Sequence, residues 1–331
     1  MNASLKAAPS ERNALRLPTL EEIEAGRRRV APFVLPIPLI PLDVDDAPAR
    51  IHLQLENLQP VGSYKLRGAG NAILDSDPAM LKSGIATVSA GNFGQGVAWF
   101  ARRLGFPCLI LVPDHAPESK VNALRRYGAE VRRITLDDWW RVMNTGVLPG
   151  YEGFFLHGVF DQRVMAGYGA IGLELREQIP KVDAVVIPFG GGAMTCGIAA
   201  ALKAHNPKIA IYACEVETGA PLKAALDKDS PVEVEYAPSF VDGIGSRNVF
   251  PSIWPLLKSV VTDSIVVTLD EVRASIRLLA ARHRVIAEGA GAAALAAALS
   301  GRAGRGEVAC IISGGHIDPN VLASILSPPS S

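Results

Sequence analysis

The sequence predicts an α/β protein built on parallel sheets covered by helices. The first observation is a regular alternation of strand-like and helix-like segments from about residue 84 onward, the pattern of βαβ units. The second is that segments such as Val185-Val186-Ile187 and Val308 to Ile312 are apolar without alternation, as strands buried on both faces are. The third is that four strand-like segments run directly into stretches rich in Gly and small polar residues. Open α/β sheets place their ligands at such carboxyl ends.

The elements follow in order. Residues 1–18 read as an N-terminal arm. Thr19-Leu20-Glu21-Glu22 reads as a helix start, with Thr19 as N-cap and acidic residues in the first turn. Ile51 to Leu55 is strand-like, and an apolar helix-like segment begins at Gly68. Then come a strand at Ile85 to Val88, a helix at Gly94 to Leu104, a strand at Pro107 to Val112, a helix at Ser119 to Tyr127 and a strand at Glu130 to Ile134. Trp139 to Gly153 is irregular and carries no predicted element. The rhythm resumes with Ala184 to Ile187, a helix from Met194 to His205, a strand at Ile209 to Cys214 and a helix from Pro221. Ile265 to Val267 precedes a helix from Asp270 to Arg284, and Val308 to Ile312 is the last strand. The organisation expected is one large unit, 19–83 with 156–331, and an inserted smaller unit at 84–155.

Composition narrows the function classes. The chain has 331 residues, nearly half of them hydrophobic, enough for a sizeable core. Its 33 basic and 33 acidic residues balance, so no positive field draws nucleic acid or anionic membrane. Cys108, Cys196, Cys214 and Cys310 are scattered without a CxxC pair, which fits buried thiols in a reducing compartment and no zinc site. The Ala-rich run at Ala287 to Leu299 is too short to span a bilayer, and residues 1–15 lack the apolar stretch of a signal peptide. A cytoplasmic protein is expected.

Four segments carry chemistry. Lys65 lies in Gly62-Ser63-Tyr64-Lys65-Leu66-Arg67-Gly68-Ala69, a strand-to-helix junction. A lysine presented there suits attack on a carbonyl once its ammonium is destabilised; a solvated loop lysine fits the same pattern. Gly190-Gly191-Gly192-Ala193-Met194 joins a buried strand to a helix, where backbone amides can receive a phosphate, although a ligand-free tight turn reads the same way. Ser89-Ala90-Gly91-Asn92 also opens a helix and suits a carboxylate or phenolate oxygen; an ordinary cap has the same composition. Ser313, in Ser313-Gly314-Gly315-His316, offers one hydroxyl after the last strand.

In this order the four motifs resemble those of the fold-type II pyridoxal 5′-phosphate enzymes, in the threonine/serine dehydratase and serine racemase group. The similarity covers roughly residues 18–318 and includes the segments at Val241 to Ile244 and Ala287 to Ala292. It implies a tryptophan synthase β-like fold, with two open, twisted, mostly parallel sheets in a large and a small domain. It implies pyridoxal 5′-phosphate as cofactor, held covalently by Lys65 with Tyr64 against the ring. Asn92 would meet the phenolic oxygen, the amides of Gly190, Gly191, Gly192, Ala193 and Met194 the phosphate, and Ser313 the pyridine nitrogen. Ser89, Ala90, Gly91 and Asn92 would receive the substrate carboxylate. Phe93, Gly243 and Glu288 are candidates for the pocket, and so is Arg141, which also reads as a solvated charge.

The chain also departs from that pattern. Ala90 stands where the racemases carry a second Ser, which favours elimination. Phe93 replaces a common His; with Trp139, Trp140 and Tyr168 it makes a larger apolar pocket conceivable, one that admits a β-aryl serine. Glu215 matches one ligand of the group's divalent metal site, but Pro221 stands at the Asp position, so no tight metal is expected. His316 replaces a common Asn, and feedback control by an appended regulatory domain is not expected. The reaction implied is β-elimination from a β-hydroxy amino acid of the L-threonine/L-serine class, giving a 2-oxo acid and ammonia. The alternatives are a β-replacement synthase, an amino-acid racemase and a non-catalytic cofactor-binding protein. A homodimer is expected, as for many large α/β enzymes.

Overall fold

The structure is a computed structural model that describes residues 15–327; residues 1–14 of the expected arm lie outside the described residues. From the amino end it runs α1 (Leu20–Val30), β1 (Leu39–Pro41), β2 (Arg50–Gln54), a 3-10 turn at Glu56–Leu58, α2 (Lys65–Leu74), α3 (Pro78–Leu81), β3 (Ile85–Val88), α4 (Asn92–Leu104), β4 (Cys108–Pro113), α5 (Glu118–Arg126), β5 (Glu130–Ile134), α6 (Leu136–Thr145) and β6 (Phe154–Phe155). It continues with α7 (Gln162–Gln178), β7 (Ala184–Pro188), α8 (Ala193–Lys203), β8 (Ala210–Val216), α9 (Pro221–Lys228), α10 (Trp254–Val260), β9 (Asp263–Val267), α11 (Leu269–Leu278), a π-helical turn at Leu279–His283, α12 (Gly289–Leu299), β10 (Glu307–Ile311) and α13 (Pro319–Leu326).

The strands form two sheets. One has six strands in the order β1-β2-β10-β7-β8-β9; the other has four, β5-β4-β3-β6. Among the described residues every pairing between these strands is parallel except β1 with β2. β7 is buried along its whole length, and β10 from Val308 onward, in keeping with their unbroken apolar sequences.

Local chemistry sets the boundaries. Thr19 and Glu22 form a reciprocal capping box at α1. Gly105 stops α4 with a left-handed conformation (φ 78°). α12 is almost wholly Ala and Gly and is buried from Gly289 to Ala298; small side chains let it lie close to the sheet, where a Cβ on Gly291 would fall 2.7 Å from the carbonyl of Gly314.

Two expectations are corrected. The helix after the lysine motif starts at Lys65, not at Gly68. The segment without a predicted element begins inside α6, which the Thr135 side chain caps by accepting from the amide of Asp138 and which Gly146 ends in a left-handed turn.

Beneath the lysine helix lies a buried ionic cluster. Arg67 donates from Nε and Nη2 to Glu56 at 2.8 Å each, and from Nη1 and Nη2 to Glu174 at 2.7 and 2.8 Å. Burial opposes the charge on Arg67, but the two carboxylates more than restore it, and its pKa stands above the ordinary arginine value. The cluster anchors α2 to the turn after β2 and to α7, which fixes the direction in which Lys65 leaves the sheet.

Candidate active site

β2, β10 and β7 are neighbours in the six-stranded sheet, and the chain leaves each of them into one of the sequence motifs. After β2 the backbone turns and reaches Lys65 at the first position of α2. After β10 it reaches Ser313, which is 2% exposed. After β7 it passes through Gly190, Gly191 and Gly192 into α8. The first two motifs are stitched together: the amide of Tyr64 donates to the carbonyl of Ser313 at 3.0 Å, and Ser63 forms a β-bridge with Gly314. Parallel order alone therefore puts an amine, a hydroxyl and a row of amides at one sheet edge.

These residues line one cavity of about 510 Å³, its open mouth included. Lys65, Tyr64, Asn92, Gly190 to Met194, Ser313, Gly243 and Glu288 all border it. The Lys65 Nζ lies 4.7 Å from the centre of the Tyr64 ring and 5.7 Å from that of Tyr168. Tyr168 is fully buried beneath Tyr64, and burial pushes its phenol well above the ordinary range.

The segment after β7 fits a phosphate. Gly192 has φ 90° and precedes α8 with no side-chain cap, so the first amides of the helix have no side chain covering them. A Cβ on Gly191 would collide with Val159. Thr195 also borders the cavity, is 1% exposed, and its hydroxyl finds no hydrogen-bond partner among the described residues. A buried orphan hydroxyl beside open amides is what a polyanionic group would satisfy.

From the four-stranded sheet, the loop after β3 brings Asn92 into the cavity wall. Its Nδ2 donates to both oxygens of Glu288, at 2.8 and 3.1 Å. Ser89, Ala90 and Gly91 are half-buried next to it in sequence, and the Ser89 hydroxyl accepts from the amide of Gly91 at 3.3 Å. Burial pushes the Glu288 carboxyl up to about 7, against the hydrogen bond from Asn92; Asp242 raises it further, and the His316 amide and Lys120 lower it.

Two assignments need correction. Arg141 is not in the cavity wall: it lies on the exposed side of α6 and pairs with Asp138 at 2.6 Å, because its helical position points away from the sheet. Trp139 and Trp140 lie outside the wall too, the first packed on the four-stranded sheet and the second exposed. Phe93 is buried, with its ring 6.0 Å from the Lys65 Nζ and packed against Gly158.

Glu215 is tied into the fold. Its carboxylate accepts from the amides of Leu222 and Lys223 at the start of α9, each at 2.8 Å, and from the Ser264 hydroxyl at 2.6 Å. Among the described residues no group of three or more His, Cys, Asp or Glu is arranged to hold a metal. No helix among them is long and apolar enough to cross a membrane.

Sequence reasoning missed Thr195, Val159, Ile244 and His157. Thr195 directly follows the glycine motif and was legible as its extension. Val159 and Ile244 border the cavity but carry no chemical signal of their own. His157 Nδ1 accepts from the amides of Val159 and Phe160, at 3.1 and 2.9 Å, so Nε2 carries the proton and donates to the carbonyl of Met143 at 2.9 Å. The ring thereby ties α6 to the segment that borders the cavity.

The comparisons agree with this geometry. The family described as pyridoxal-phosphate dependent enzyme matches residues 30–314. An L-threonine ammonia-lyase of Thermotoga maritima is 35% identical over 315 residues, covering 93% of this chain and 78% of that protein. A threonine deaminase from T.th. superposes with TM-score 0.83 at 31% identity, covering 91% of this chain and 99% of that one. Maize serine racemase superposes with TM-score 0.86 at 28% identity, covering 93% and 97%. The fold is that of the fold-type II enzymes. The chain belongs to the pyridoxal-phosphate-dependent enzyme family and, within it, to the threonine and serine dehydratase group.

Proposed function

We propose that this ammonia-lyase acts by β-elimination on a small β-hydroxy amino acid of the L-threonine/L-serine class. Water leaves across Cα–Cβ, and hydrolysis of the product takes water up again, so the net products are a 2-oxo acid and ammonia. The observation that carries this reading is the convergence of Lys65, Ser313 and the Gly190 to Thr195 cradle on one cavity, with Asn92 facing them. The names of the similar threonine ammonia-lyase and threonine deaminase point the same way.

Pyridoxal phosphate, when bound, supplies the electron sink that makes the Cα proton removable. In this reading the Lys65 amine would hold it covalently, and the same amine, when free and neutral, would take the Cα proton on Nζ. Gly190 to Met194 and the Thr195 hydroxyl hold its phosphate at the amino end of α8. Ser313 meets its ring nitrogen with a neutral hydroxyl rather than a carboxylate. Ser89 to Asn92, at the amino end of α4, hold the substrate carboxylate and so set the angle at Cα. Ala90 carries only a methyl group and offers no proton to the opposite face, which favours elimination over racemisation.

Val159 and Ile244 give the cavity apolar walls, so a β-carbon bearing a methyl or aryl group is preferred to a bare CH₂. The test is 2-oxo acid formation from L-threonine, L-serine and L-threo-phenylserine by the purified holoenzyme. Turnover of L-threonine or L-threo-phenylserine above L-serine supports the reading. Product from none of the three, by a protein that holds the cofactor, contradicts it.

A further inference from the structure

We propose that Glu288 is the positioning residue of this site: its carboxylate fixes the Asn92 carboxamide in one orientation, and protonation of that carboxylate releases it. The inference rests on the reading of Asn92 as a contact of the bound cofactor and adds a group that governs that contact.

The geometry carries it. Glu288 borders the same cavity as Lys65 and Asn92 and is almost fully buried. Both of its oxygens accept from Asn92 Nδ2, at 2.8 and 3.1 Å, and one also accepts from the His316 amide at 3.2 Å. An asparagine carboxamide is ambiguous by itself, since its two ends differ only in donating or accepting. An anionic acceptor removes that ambiguity, because only the NH₂ end can face it. The pair joins the two sheets, for Asn92 starts α4 and Glu288 precedes α12. Backbone shape protects the pair: a Cβ on Gly314 would run into the Glu288 carboxylate and Asn92 Nδ2.

No basic side chain is paired directly with Glu288 in the ion pairs of the described residues. The charged and titratable groups around it are Asp242, which pairs with Lys120 of α5 at 2.6 Å, Lys65 in the same wall, and the half-buried His316. Asp242 and burial both favour the protonated form, which places its titration at about 7. A protonated carboxyl loses one acceptor and gains a donor, so the hold on the NH₂ end of Asn92 weakens as pH falls through that value.

The test uses Glu288→Gln and Glu288→Ala with two readouts besides turnover: pyridoxal phosphate affinity of the cofactor-free protein, and the visible band of the holoprotein as a function of pH. Wild type is expected to bind the cofactor more weakly below neutrality, with a midpoint near 7. Glu288→Gln should lose that midpoint while keeping a folded, cofactor-binding protein. Glu288→Ala should bind about tenfold more weakly at pH 8 and show a displaced band. A Glu288→Gln protein with the wild-type midpoint, or a Glu288→Ala protein with unchanged affinity and band, overturns the inference. If Glu288→Ala fails to fold, Glu288→Gln alone decides. A wild-type chain that takes up no cofactor would instead overturn the reading of the site on which the inference stands.

Discussion

The amide of Tyr64 donates to the carbonyl of Ser313 at 3.0 Å, so the residue before the lysine and the residue after β10 belong to one backbone unit. The bond needs no side chain from Ser313. Ser313→Ala should leave Lys65 in place and remove only the hydroxyl. Cofactor affinity is expected to fall about three- to tenfold, the effect of one neutral hydrogen bond, with an unchanged melting temperature. Loss of folding in this variant would show that the hydroxyl is structural.

Arg67 is a stability residue. Its guanidinium is fully buried between Glu56 and Glu174. Arg67→Met leaves two buried carboxylates without their counter-charge, which should destabilise the protein by about 3–5 kcal/mol. Urea denaturation of the cofactor-free protein measures this. A loss below about 1 kcal/mol would mean that the cluster contributes little.

The proposed phosphate cradle rests on backbone shape. Gly192 holds φ 90°, a conformation that strains any L side chain. Gly192→Ala should therefore weaken cofactor binding by tenfold or more through that strain. Thr195→Val removes a hydroxyl without changing size and should weaken it less, about three- to tenfold. Phosphorus NMR of the bound cofactor checks the second, since the phosphate signal should move in Thr195→Val and return in Thr195→Ser.

Glu288 also gives stability a pH dependence. Its carboxyl titrates at about 7 in the fold, above the ordinary glutamate value, so the native state binds the extra proton. The sign follows from that: the contribution is present below the unfolded carboxyl range and is lost as pH rises through about 7. Relative to wild type, Glu288→Gln should gain stability between pH 5 and 8, by at most about 3 kcal/mol. Denaturation of both cofactor-free proteins across that range gives the difference. A gap that stays flat with pH would assign the titration elsewhere.

Much of this was legible in the sequence because the chemistry sits in contiguous motifs at strand ends. Gly190 to Met194 and Ser313 each follow a strand that reads as apolar, Tyr64-Lys65 comes shortly after the alternating strand at Ile51 to Leu55, and parallel order brings the three together. The Asn92–Glu288 contact was not legible as a contact, because the two residues are 196 apart and come from opposite sheets. Arg141 reads from the sequence either as a pocket residue or as a solvated charge, and the structure shows the solvated charge, because the face of α6 it occupies depends on how that helix packs. The helix itself had a usable signal: Leu136, Trp139, Trp140 and Met143 recur at helical spacing between the cap Thr135 and the stop Gly146. The adjacent Trp pair and the Pro149-Gly150 that follow shortly afterwards obscured it. Val159 and Ile244 carry only shape, and shape emerges from packing.

The most direct test of the account is the visible absorption of the purified holoprotein and of Lys65→Ala, before and after L-threonine and L-threo-phenylserine, with 2-oxo acid measured alongside. Wild type should be yellow, change its band with at least one of these amino acids and release 2-oxo acid and ammonia. Lys65→Ala should stay folded, hold the cofactor only non-covalently and give no product. A Lys65→Ala protein that retains the wild-type band and turnover would contradict the assignment of Lys65 and, with it, the reading of the cavity.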